Sequence, residues 1–97
     1  MDDEATQHEE ASVAAAAYRT SFRPFRGSWS VSFGELRLND DGSWVVPTVL
    51  SKEGAEPMAR DVGVWPRDTE PETSGSIAAA TATEYFEKLE RKVRHGD

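Results

Sequence analysis

Arg19, Arg23 and Arg26 are interleaved with Tyr18, Phe22 and Phe25 in the segment YRTSFRPFR, the one locally basic stretch of the chain. Guanidinium groups beside aromatic rings hold phosphates and stack on bases, so this segment is a candidate phosphate or nucleic-acid contact. The competing reading is structural. Phe22 and Phe25, three residues apart, would anchor the segment on the fold, and the arginines would pair with the acidic surface around them. The structural reading carries more weight, because the chain has a net charge of −7, which disfavours binding of a polyanion by the surface at large.

Other chemistry fails on spacing. His8 and His95 stand at opposite ends with no cysteine and no paired-histidine motif, so a zinc site is not expected. The run Asn39 to Ser43 is acidic, but glycine falls at its fourth position and Leu50 stands where a calcium loop needs a bidentate glutamate, so it reads as a turn. The sequence holds no dinucleotide fingerprint, no P-loop and no nucleophile elbow. Ser74, Gly75 and Ser76 could meet an anion only in the generic way of any helix start, and the many serines lack a plausible base. The expectation is a protein without catalytic residues, metal ligands or cofactor, and so not an enzyme.

The elements that would carry any site are organised around Ser28 to Leu50. Trp29, Val31 and Phe33 alternate with serines at the period of a strand with one buried face. After Phe33 the apolar phase moves to Leu36 and Leu38, which a β-bulge at Gly34 would reconcile. Asn39, Asp40, Asp41 and Gly42 supply a turn, so residues 28–50 read as a hairpin. Its second strand is apolar on both faces. The expectation is that Val45 and Val49 share the face of Phe33 and Leu36, with Trp44, Val46 and Leu50 turned the other way. Pro47 has no N–H and argues for an edge strand, so Trp44, Val46 and Leu50 are the expected partner-binding residues.

The clearest helix is 77–94, with Ala82, Tyr85, Phe86, Leu89 and Val93 on one face and i, i+4 pairs Glu84 with Lys88, Glu87 with Arg91 and Glu90 with Arg94. That face is expected to cover the hairpin. An Ala-rich helix over about 7–19, opened by a capping box of Thr6 with Glu9, presents Val13, Ala14, Ala17 and Tyr18 and is expected to be loosely held. Val62, Val64 and Trp65 suggest a short third strand, and 67–76 reads as a flexible polar loop.

Composition sets the scale. Twelve of the hydrophobic residues are alanine, and Leu, Ile, Val and Phe together number only 17 of 97, so the core is small for an independent domain. Residues 1–6 read as an acidic, disordered tail and 7–97 as one domain. The acidic start is the reverse of a secretory signal, no apolar run is long enough to span a bilayer, and a soluble cytoplasmic protein is the default. The sequence thus predicts an α+β domain, a two- or three-stranded antiparallel sheet packed by a C-terminal helix with an N-terminal helix beside it. Its expected role is a small acidic protein-interaction module (an adaptor, inhibitor or assembly subunit), with a second copy as one candidate partner and nucleic-acid or phosphate binding through 18–26 as the alternative.

Overall fold

The computed structural model describes residues 3–22 and 29–94. In chain order they form α1 (Asp3–Ser21), β1 (Ser30–Phe33), β2 (Arg37–Leu38), β3 (Trp44–Ser51), β4 (Met58–Gly63) and α2 (Pro71–Arg94). Every strand pair is antiparallel, and β3 is the centre of the sheet. β4 pairs with β3 along one side, while β1 and β2 lie end to end along the other. The fold is α+β, with both helices on one face of the sheet.

The break between β1 and β2 is the bulge at Gly34. Phe33 opposes Thr48 whereas Arg37 opposes Val45, so residues 34–36 face only residues 46–47. The bulge carries Leu36 onto the face of Phe33, where it packs against the core, while Leu38 near the hairpin tip stays 47% exposed. The tip is a three-residue loop. Asn39 N–H donates to the Ser43 carbonyl at 2.8 Å, Gly42 N–H donates to the Asn39 carbonyl at 3.0 Å, and Gly42 has φ +89°, a conformation that favours glycine.

This loop corrects the expected facing of β3. Three residues between Asn39 and Ser43 place Leu38 opposite Trp44, so even-numbered residues meet even-numbered ones on the same face. Trp44, Val46, Thr48 and Leu50 therefore point with Leu36, Phe33 and Val31 toward the helices and are buried, and Val45, Pro47 and Val49 point away from them. Pro47 is also not on an edge. Its carbonyl accepts the Gly34 N–H at 2.7 Å, so its missing N–H faces the bulge, the one place in the ladder where a donor can be spared.

Two of the helical expectations change. The α1 helix begins at Asp3, which puts Thr6 inside it, and it is firmly packed: Ala11, Ala14, Ala15 and Tyr18 are fully buried while Val13 is 43% exposed. The α2 helix begins at Pro71, so most of the expected loop is its first turn and a half, with proline in the first turn and Glu72 at the positive end of the dipole. The Ser74 hydroxyl there is buried and donates to the Val64 carbonyl at 2.6 Å.

The helices meet along small residues. A Cβ on Gly75 would lie 2.3 Å from the Ala14 carbonyl oxygen and 2.6 Å from Ala17 Cβ, so the two backbones touch at that point. Just past the end of α1, Phe22 meets Phe86 of α2 with their rings tilted and centroids 6.1 Å apart, so the two helices run in the same direction. Ala82 and Phe86 of α2 are buried, with Tyr85 and Leu89 packed against the core, as the apolar spacing predicts; the side chain of Val93 lies outside the described residues, and Ala78 and Ala79 extend the buried face toward the start of the helix. Under the seam, the Thr48 hydroxyl donates to the Val46 carbonyl at 3.1 Å. Its one proton is thereby used, so the Tyr18 O–H is the donor in the 2.7 Å bond to Thr48 Oγ1.

Candidate functional site

A two-layer fold can cover only one face of its sheet, and an antiparallel sheet ordinarily turns polar side chains to water on the other. Here β3 is apolar on that side as well. Val45, Pro47 and Val49 form the centre of the helix-free face, with Ala59 opposite Val49 and Gly63 opposite Val45 on β4. Arg37 on β2 and Asp61 on β4 reach across β3 and pair over it, and this bridge helps to bury Val45, which is 5% exposed. Both side chains remain about half accessible, at 52% and 46%, so the pair is solvent-screened and contributes little to folding. The result is a narrow apolar strip, with Pro47 and Val49 partly exposed, Ser32 beside Val49, Ser30 and Ser51 beyond it, and one cation and one anion paired across it.

The expected partner-binding residues lie on the opposite side of the same strand. Trp44, Val46 and Leu50 are interior, and Trp44 is further covered by His8 of α1, whose ring stands edge-on at 5.6 Å. The facing was reversed by one residue of turn length, so the residues that sequence reasoning missed are Val45, Pro47 and Val49. The signal that finds them was present: a strand apolar on both faces in a chain with helices enough to cover only one.

Of the three arginines, Arg23 and Arg26 lie outside the described residues, as does Phe25. Arg19 has a structural partner. Its guanidinium donates to the Gly34 carbonyl at 3.3 Å, the acceptor that would have taken the N–H that Pro47 lacks. Phe22 is an anchor, in ring contact with Tyr18, Phe33 and Phe86.

Two of the depressions in the surface lie beside α2. At the Leu50 end of the sheet, Trp29, Met58 and Leu89 floor an open cleft of about 710 Å³ rimmed by Lys52, Glu56 and Glu90. Trp29 is engaged there, donating Nε1–H to Glu90 at 3.2 Å with the Lys52 ammonium 5.2 Å from its ring. Between β4 and α2 runs a smaller groove of about 280 Å³ with Ile77, 57% exposed, on its helical wall and Arg60 stacked 4.1 Å from the Tyr85 ring.

Among the described residues no group of three or more His, Asp or Glu is placed to hold a metal ion. Among the described residues, Tyr18 and Asp41 are shifted from their ordinary values, each for a local reason. Burial of the hydroxyl raises Tyr18. Asp41 is lowered by the Ser43 hydroxyl and amide, which both donate to its Oδ1 and tie it into the turn. No described helix is long and apolar enough to cross a membrane. No protein-family model matches the chain, and no curated protein or solved structure matches it.

Proposed function

We propose that the protein is a small interaction module without catalytic activity, and that it engages another protein through the helix-free face of its sheet. The observation that carries this reading is β3, whose Val45, Pro47 and Val49 are apolar on a side that neither helix covers. Leaving such a face in water forfeits the burial free energy of about 25 cal/mol per Å² of apolar area, which a partner can recover. The bound state adds no charge burial beyond Arg37 and Asp61, which already neutralise each other. The working environment of this reading is aqueous and cytoplasmic.

The test is site-specific photo-crosslinking in cells that express the protein, with the reactive side chain at Ala59 on the open face or at Ala16 on the exposed side of α1. Ala59 should give a discrete protein adduct and Ala16 should not. Equal labelling from both positions, or no protein adduct from Ala59, refutes the proposal.

A further inference from the structure

We propose that the occupant of the helix-free face is a second copy of this chain, packed sheet against sheet about a two-fold axis that runs parallel to β3. The inference rests on the reading of that face as an interaction surface and assigns its partner.

Charge selects the partner and the orientation. The chain carries −7, so two copies repel each other over most of their surfaces. The centre of the open face, with Arg37 against Asp61, is neutral. Arg37 sits on one side of β3 and Asp61 on the other. Rotation about an axis parallel to β3, lying between two facing sheets, exchanges the two sides of the strand. It therefore brings the Arg37 of one copy to the Asp61 side of its partner, two residues along the strand from that carboxylate and the same diagonal offset that the pair spans within each chain, while Pro47 and Val49 meet their own equivalents. Two intramolecular pairs become a ring of four alternating charges around an apolar centre. The alternative axis, in the same plane but across the strands, keeps each residue on its own side and sets Arg37 near Arg37. The contact is thus self-complementary in one orientation, as a closed two-fold interface requires. Sheets stacked this way keep their strands roughly aligned, as in a sandwich.

Area sets the strength. Three strands spaced about 4.8 Å and eight residues rising about 3.3 Å each give a footprint of roughly 14 by 26 Å, and a total buried surface on the order of 800–1,000 Å² for the pair. Stable interfaces begin near about 1,200 Å², so the dimer is a weak, reversible one.

Sedimentation equilibrium of the full chain, from about 10 μM to 1 mM, covers the range in which a weak, reversible dimer forms. The apparent mass should climb from 10.7 kDa toward twice that value. Arg37→Glu leaves two acidic groups on the face and Asp61→Arg leaves two basic ones, so each variant alone should stay monomeric. An equimolar mixture of the two should associate, because the faces are then complementary between molecules although the pair within each molecule is broken. Circular dichroism confirms that the variants fold. A wild-type chain monomeric at 1 mM, or a mixture that fails to associate, overturns the dimer. Association that survives Val49→Lys also overturns it, since the contact is then elsewhere. A monomeric chain whose Ala59 crosslinks to a different protein refutes the dimer and leaves the interaction-module reading standing; a chain that neither dimerises nor crosslinks from Ala59 removes both.

Discussion

Gly75→Ala is the substitution whose sign is most informative. In an exposed helix interior this change stabilises by about 1 kcal/mol, because alanine loses less backbone entropy on folding and has the higher helix propensity. At Gly75 the new methyl would sit 2.3 Å from the Ala14 carbonyl oxygen, 2.6 Å from Ala17 Cβ and 2.8 Å from the Tyr18 nitrogen. Two of those three atoms are backbone and cannot rotate away. Relief requires the helices to separate by about 1 Å, which loosens van der Waals contact along the whole seam of Ala11, Ala14, Ala15, Ala78, Ala79 and Ala82. Overpacking of this kind costs about 1–3 kcal/mol and more where backbone must move, so after the propensity gain a net loss of about 2 kcal/mol or more is expected. For a domain of this size that corresponds to a fall in Tm of roughly 8–16 °C. Thermal unfolding followed by circular dichroism measures it, with Gly63→Ala as the control, since a Cβ there meets nothing within 4 Å. A Tm for Gly75→Ala equal to or above the wild type would mean that the helices do not touch at this point, and the derived helix packing would fall.

Trp44→Ser should destabilise the isolated chain by about 3–5 kcal/mol, as a truncation in the core; urea denaturation that moves by less than about 1 kcal/mol would put the ring back on a free surface. Tyr18 gives the pH dependence. Its folded-state pKa is raised above the ordinary 10.0, so its contribution to stability is complete below that pH and is lost as the pH rises through the folded-state value. Tyr18→Phe should cost about 1 kcal/mol at pH 7 and should lose less stability than the wild type between about pH 9 and 11; parallel alkaline profiles for the two proteins would refute burial of the hydroxyl.

The legible parts of this fold were those fixed by local pattern. The alternation of Trp29, Val31 and Phe33, the phase change at Gly34 and the spacing of Phe86 and Leu89 each follow from a period that side-chain burial imposes on one element. What the sequence concealed depended on contacts between elements. PETSGS looks like a loop because its proline, glycine and serines are individually poor in a helix interior, yet proline is tolerated in the first turn, Gly75 is needed for contact with α1, and Ser74 finds the Val64 carbonyl. The α1 face was misjudged for a related reason: alanine gives little apolar contrast, and packing chose Ala11 and Ala15 over the larger Val13. The candidate site was legible as a strand and illegible as a face, because parity on β3 hangs on the number of residues in the loop before it. Asp40, Asp41 and Gly42 could have closed as a two- or three-residue loop, and only the Asn39 to Ser43 bond decides between them.

The proline at the centre of the sheet also acts as a key for strand alignment. Its absent N–H leaves the Gly34 carbonyl without its ladder donor, and Arg19 supplies one from the neighbouring helix. In a pairing slipped by one residue, a different carbonyl would face Pro47, beyond the place where Arg19 binds, and the bulge would fall opposite a residue that has a donor to offer. Gly34 is exposed, so each such mismatch costs no more than the net worth of a hydrogen bond, about 0.5–1.5 kcal/mol, still a noticeable fraction of what a domain this small can spare. Register is ordinarily enforced by a difference between the two faces of a strand, which β3, apolar on both, supplies weakly; here one imino acid, one bulge and one guanidinium favour a single alignment.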